Sequence, residues 1–187
     1  MTIQVPFSTA QEAPSLRVTQ WFNTESPVTL ESLRGRVVVL HAFQMLCPGC
    51  VSHGLPQAQR IRDTFDTTDV SVIGLHTVFE HHDAMTPTSL AAFVYEYRIA
   101  FPVGVDEASP NGGTPQTMAA YGMRGTPSLV LIGRDGAIRR HFFGQPSDLL
   151  VGAAVADLIR DSAPNGRGSE PRCDDTACRI PEGVNAP

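Results

Sequence analysis

Cys47-Pro48-Gly49-Cys50 is the one segment of this chain whose residue types and spacing define a chemistry outright. Two thiols separated by two residues can close into a disulfide and reopen. The nucleophile in such exchange is the thiolate, and a thiol at a helix N-terminus meets unpaired N–H groups and the positive dipole end, which favour the anion. Pro48 suits a first helical turn, where its missing N–H is not needed. Cys47, first on the helix and more open, is the expected attacking thiol. Cys50, one turn inside, is the expected resolving thiol. A Cys-x-x-Cys can also be half of a zinc site. The other half would have to come from Cys173 and Cys178, which are spaced differently and far downstream.

The elements that must hold the pair are legible around it. Val37-Val38-Val39-Leu40-His41-Ala42-Phe43 is short, apolar and β-branched, which predicts a buried strand. Val51, Leu55, Ala58, Ile61 and Phe65 recur at helical spacing after it. The motif therefore sits at a strand-to-helix turn. Further along, Val70–Leu75 predicts a second buried strand, and Leu90, Phe93, Val94 and Tyr97 an amphipathic helix. Phe101–Val105 reads as an edge or short strand, Ala108–Pro115 as a loop, and Met118–Tyr121 as a short helix. Leu129–Ile132 and Ala137–Phe143 form a hairpin about Asp135-Gly136, and Leu149–Ile159 a closing helix. At the front, Leu16–Trp21 reads as an added strand and Val28–Leu33 as a short strand and turn. Strand–helix–strand followed by a hairpin and a helix gives an α/β fold, a mixed sheet flanked by helices.

A second signal joins the first. Gly125-Thr126-Pro127-Ser128 stands directly before the strand Leu129–Ile132. With the strand, the CPGC and the hairpin turn, it makes the chain resemble the thioredoxin superfamily. The branch it resembles is the redoxins, which holds TlpA-like thiol-disulfide oxidoreductases and the AhpC/TSA-related peroxiredoxins. The resemblance covers roughly Ala13 to Asp161. It implies a thioredoxin-like three-layer sandwich with a redoxin-type insertion and an N-terminal extension. It also implies that Thr126-Pro127 carries a cis-proline facing the CxxC and binds substrate. The activity implied is thiol-disulfide exchange through a mixed disulfide, with a protein or small-molecule thiol or disulfide as substrate and an upstream dithiol reductant or oxidant. No cofactor and no metal are implied. The domain expectation is a redoxin domain over 1–162 and a flexible tail over 163–187.

Departures from the family pattern mark other residues. His41 falls where thioredoxins hold a buried acid, so a proton relay to Cys50 is one role for it and a hydrogen-bonded strand histidine another. His53 stands where TlpA-like relatives often carry an acid, and Pro56 comes one residue late. Leu46 replaces a frequent Trp. A peroxiredoxin-like peroxidase is the main alternative, but such enzymes need Thr or Ser three residues before the reactive cysteine, where this chain has Gln44. Copper-delivering relatives pair a cysteine motif with a distant histidine, for which His76 is the candidate, but they use three residues between the cysteines. Glu80-His81-His82-Asp83 reads as a solvated loop, since adjacent histidines diverge on any regular element. Cys173 and Cys178 are a possible second redox pair. They form a local disulfide, exchange with Cys47–Cys50 or capture a metal; the local pair, dispensable for the basic reaction, is the expectation.

Composition bounds the rest. The 187 residues, 42% hydrophobic and 18% charged, support one sizeable core. A net charge of −5 argues against nucleic acid or an anionic membrane as partner. No apolar stretch approaches bilayer length. Met1–Gln20 has neither a basic start nor an apolar stretch of the secretory kind, so the cytoplasm is the expected location.

Overall fold

The computed structural model describes residues 3–4 and 11–161. The tail 163–187, with Cys173 and Cys178, lies outside the described residues, and so does the proposed domain boundary.

Among the described residues, eight strands and four α-helices form three layers. The strands are β1 (Ile3–Gln4), β2 (Gln11–Glu12), β3 (Val18–Phe22), β4 (Val37–Phe43), β5 (Val70–His76), β6 (Val103–Asp106), β7 (Ser128–Ile132) and β8 (Ala137–Phe143). The helices are α1 (Leu55–Thr64), α2 (Pro87–Glu96), α3 (Gln116–Ala120) and α4 (Asp148–Arg160). The sheet order is β1-β8-β7-β4-β5-β6-β3, with β2 also on β8. β4, β5 and β6 run parallel, and every other pairing is antiparallel.

β4 sits at the centre because all seven of its residues are buried, which only a strand covered on both faces tolerates. Its odd residues Val37, Val39 and Phe43 join the core under α1, α2 and α4, with Leu55, Leu90 and Val155. Its even residues Val38, Leu40 and Ala42 face the second core, with Met118, Tyr121 and Ala13. The period of two along one strand thus fastens both helical layers. α3 is held by the buried Asp106, whose carboxylate accepts from the N–H groups of Thr117 at 2.8 Å and Met118 at 3.0 Å.

One expected element differs. Val28–Leu33 forms no strand; Glu31–Leu33 is a 3-10 turn. The Thr29 hydroxyl accepts from the Ser32 N–H and the Ser32 hydroxyl returns to the Thr29 carbonyl, so local side chains satisfy the backbone instead of a ladder. Of the two readings for Phe101–Val105, the short strand holds: β6 starts at Val103 and is four residues long, and it is not an edge because β3 pairs beyond it.

Candidate active site

β4 ends at Phe43, and the chain turns through Gln44-Met45-Leu46 into the helix that carries the cysteines. Gln44 is 1% exposed and ties this turn down. Its carbonyl accepts from the Cys47 N–H at 3.2 Å. Its side-chain oxygen accepts from the Phe79 N–H, and its amide donates to Glu80, each at 3.3 Å. Cys47 is half-buried and Cys50 fully buried, both as free thiols. The Cys50 N–H points at the Cys47 sulfur at 3.2 Å. The Cys47 Sγ also lies 3.6 Å from the Thr126 carbonyl. Burial first, then the hydrogen bond with Cys47, pushes the Cys50 thiol up to about 12.

The helix after the pair contains a π-helical turn at Cys50–Gly54, closed by the Leu55 N–H on the Cys50 carbonyl. A π turn absorbs one additional residue. This is the physical counterpart of Pro56 arriving one residue late, since Pro56 then falls in the first turn of α1, where no N–H is needed.

Pro127 closes the site from the opposite side. The Thr126–Pro127 peptide bond is cis. A Cβ on Gly49 would lie 3.4 Å from Pro127 Cδ and 3.1 Å from the Gln145 amide nitrogen, so this glycine lets the motif pack on both. The loop after β8 reinforces the wall: the Gly144 N–H donates to the Pro127 carbonyl at 2.9 Å. The Pro146 carbonyl accepts from Gln57 and from His53 Nε2, each at 2.9 Å, which fixes the proton of His53 on Nε2. Asp148 accepts from Gln57 and, through both oxygens, from Arg60.

Two histidines stand behind the thiols without hydrogen-bond partners. His41 is 1% exposed, lies parallel to Phe43 and presents its ring edge to Gly54. Burial first, and the charge of His53 second, hold its pKa near about 4. His76 ends β5 against Phe43 at 5.3 Å, and burial holds it near about 4 as well. All four ring nitrogens are buried and unpartnered. The expectation of a hydrogen-bonded strand histidine at position 41 does not hold. Among the described residues no group of three or more His, Cys, Asp or Glu gathers as a metal-binding cluster. The segment from Glu80 to Asp83 is exposed.

The structure therefore brings Cys47, Cys50, Thr126, Pro127 and His41 to one end of the sheet, over the junction of β4 and β7. Sequence reasoning missed Gln44 as an anchor, Gly54 as the seat of His41, and the Gln57–Arg60–Asp148 clamp. The first had a signal: a lone amide between an apolar strand and a reactive motif. The last had none, because its partners are some ninety residues apart.

Comparison with known proteins places these features in a family. A model of the AhpC/TSA family matches residues 9–141. A crystal structure of a thioredoxin-like superfamily protein is 59% identical, covers 83% of this chain and all of its own, and superposes with a TM-score of 0.80. A thiol-disulfide isomerase from Corynebacterium glutamicum is 50% identical over 79% of this chain and 96% of that one, with a TM-score of 0.75. Among curated proteins, DipZ of Mycobacterium tuberculosis is 26% identical over 94% of this chain. The chain spans about a quarter of that relative's length, 24%. The thiol-disulfide oxidoreductase ResA of Bacillus anthracis is 26% identical over 72% of this chain and 69% of its own.

Proposed function

The chain belongs to the AhpC/TSA family, and from that premise we propose that it is a thiol-disulfide oxidoreductase working through Cys47 and Cys50. The observation that carries this is the asymmetry of the pair: one sulfur reachable and met by an N–H, the other fully buried with its thiol held protonated. That is the arrangement an attacking and a resolving cysteine require. The Cys47 thiolate attacks one sulfur of a substrate disulfide, forming a mixed disulfide and releasing the substrate's other thiolate. Cys50 then attacks the Cys47 sulfur, releases the second substrate thiolate and leaves Cys47–Cys50 oxidised. Two electrons pass to the substrate, and an upstream dithiol restores the pair. Thr126 and Pro127 form the ledge on which the substrate backbone lies beside Cys47.

Cys50 must lose its proton in the second step, and His41, whose ring edge lies against Gly54 in the same helical turn, is the acceptor we assign to it. Burial lowers the His41 pKa and raises that of Cys50, so both directions oppose a proton moved in advance. His41 therefore acts only as the sulfur–sulfur bond forms, as the acceptor toward which the proton moves.

Peroxide reduction fits less well. The position three before Cys47 holds Gln44, whose amide is committed to Phe79 and Glu80. It offers no hydroxyl to polarise an O–O bond.

Trapping tests the proposal. Cys50→Ser should accumulate mixed disulfides with substrate, and Cys47→Ser should form none; the reverse pattern would overturn the assignment. A reduction potential in glutathione buffers then gives the direction, near roughly −270 mV for a reductase and roughly −120 mV for an oxidant.

A further inference from the structure

We propose that Arg124 selects substrate for Cys47: it pairs with a carboxylate side chain carried about two residues from the attacked cysteine, on a peptide segment laid along the Thr126–Pro127 ledge. This rests on the function proposed above and names a substrate class for the same site.

Three observations meet here. The first is placement. From Tyr121 to Gly125 buried and exposed residues alternate: Tyr121, Met123 and Gly125 are buried, while Gly122 and Arg124 are exposed. The Met123 N–H donates to the Met118 carbonyl at 3.0 Å, and the Gly125 carbonyl accepts from the Ser128 hydroxyl at 2.8 Å, so the backbone on both sides of Arg124 is fixed. Just beyond it, the Thr126 carbonyl lies 3.6 Å from the Cys47 sulfur. The two residues between them span at most about 7 Å of chain, so Arg124 stands close to the point where the ledge meets the nucleophile. An extended peptide advances about 3.3 Å per residue, so a side chain two positions from its cysteine comes level with Arg124.

The second is a guanidinium held in place and left open. It lies 5.7 Å over the Phe143 ring, whose face attracts a cation. Phe143 in turn lies where a Cβ on Gly125 would touch it at 3.0 Å, so ring and cation pack against the ledge. No carboxylate pairs with Arg124 among the described residues. The group that feels its charge is His141, whose pKa is held below the usual histidine range by burial first and by Arg124 second. A neutral imidazole gives the cation no anionic partner. A planar guanidinium fixed in advance suits a carboxylate, which it can meet with two parallel N–H groups.

The third is the charge on the opposite flank. β4 lies between β7 and β5, so the chain entering β7 and the chain leaving β5 stand on opposite sides of Cys47. The first carries Arg124. The second carries Glu80, exposed and fixed by the Gln44 amide at 3.3 Å. Leu46, next to Cys47, is 57% exposed and presents an aliphatic surface between them. The face around the nucleophile thus runs from a cation through an apolar step to an anion. A carboxylate on one side of the substrate cysteine meets Arg124, and one on the other side meets Glu80 and is repelled. The chemistry of exchange is unchanged; the charge pattern decides which disulfides reach it.

The test uses the reduced full chain and three acetylated, amidated peptides: Gln-Gly-Cys-Gly-Gln, Glu-Gly-Cys-Gly-Gln and Gln-Gly-Cys-Gly-Glu. Each cysteine is capped as a disulfide with thiopyridine. Attack bonds the Cys47 sulfur to the peptide cysteine and releases the thiopyridine thiolate, read by its absorbance. The better of the two Glu peptides should react about two- to fivefold faster than the Gln peptide, as one exposed ion pair allows. Arg124→Gln, which keeps a long planar side chain without the charge, should abolish that advantage. Arg124→Glu should turn it into a disadvantage of similar size. The Gln peptide, measured in every variant, cancels any change in the fold or in the reactivity of Cys47 itself. Arg160→Glu is the control for net charge. α4 starts beside the site, since Gln145 of the loop before it lies against Gly49, and it runs 13 residues to Arg160. That end lies about 20 Å along the helix, so the advantage should stay. No advantage for either Glu peptide, an advantage that survives Arg124→Gln, or one that Arg160→Glu also removes would each overturn the proposal. A Gln peptide that reacts no faster with the native protein than with Cys47→Ser would sink the parent function instead.

Discussion

Gly54→Ala should destabilise the protein although alanine is the better helix former, because His41 occupies the space the methyl group needs. A Cβ at position 54 would stand 2.4 Å from His41 Cε1, 2.7 Å from Nε2 and 3.2 Å from Pro127 Cβ. Carbon atoms in contact sit about 3.5–4.0 Å apart, so the ring would have to retreat by more than about 1 Å. It has nowhere to go: it is 1% exposed and backed by Phe43. Overpacking of this kind costs about 1–3 kcal/mol. Replacing a helical glycine returns about 0.5–1 kcal/mol. A contact as short as 2.4 Å puts the cost at the upper end, about 2–3 kcal/mol, so the net loss is about 1–2.5 kcal/mol, which at a urea slope of about 2 kcal/mol/M lowers the midpoint by about 0.5–1.3 M. Gly152→Ala in α4 is the matched control: nothing lies within 4 Å of its Cβ, so its midpoint should rise. In the background of His41→Ala, Gly54→Ala should cost nothing, so the coupling in a double-mutant cycle equals the net loss, about 1–2.5 kcal/mol. Equal or greater stability of Gly54→Ala in the native background would refute the packing argument.

Acidification should weaken the fold well above the carboxylate range. His41 and His76 hold pKa values near about 4 when folded against 6.5 when free. The unfolded chain therefore binds protons that the folded one refuses. Stability is complete above pH 6.5 and falls toward pH 4, by up to about 1.4 kcal/mol per pH unit for each histidine. His76→Phe should roughly halve that slope in denaturation at a series of pH values, and an unchanged slope would count against it. In the reduced protein at pH 8, iodoacetamide should modify Cys47 and spare Cys50, whose thiol is pushed up to about 12; mapping that finds both modified at similar rates would contradict this. Stopped-flow mixing with hydrogen peroxide should show slow oxidation of Cys47. A rate like that of dedicated peroxidases would make Gln44 irrelevant and restore the peroxidase alternative.

Much of this was legible in the sequence because periodicity and chemistry coincide. β4 declared itself by an unbroken apolar run, and the cysteines by their spacing directly after it. The β7–β8 hairpin was marked by Gly136, which adopts φ 79°. What escaped notice depends on long-range pairing or on one residue's shape. β1 and β2 are two residues each and exist only because β8 presents an edge for them. Val28–Leu33 has strand-like composition, but the hydroxyls of Thr29 and Ser32 bend it locally. Gly54 looks like an ordinary helix glycine until the ring of His41, thirteen positions earlier, is set against it.

The placement of β4 at the heart of the sheet carries a consequence for synthesis. Its neighbour on one side, β5, begins at residue 70, but its neighbour on the other, β7, begins only at residue 128. At ribosomal speeds of about 5–20 residues per second, the flank of β4 waits roughly 4–17 s for its partner. Throughout that interval a seven-residue apolar strand stands open along one side, with Cys47 and Cys50 just beyond its end. The nascent chain is thus most exposed to misplaced strands and adventitious oxidants at the segment on which its chemistry depends. A ribosome stalled before residue 128 would hold it there.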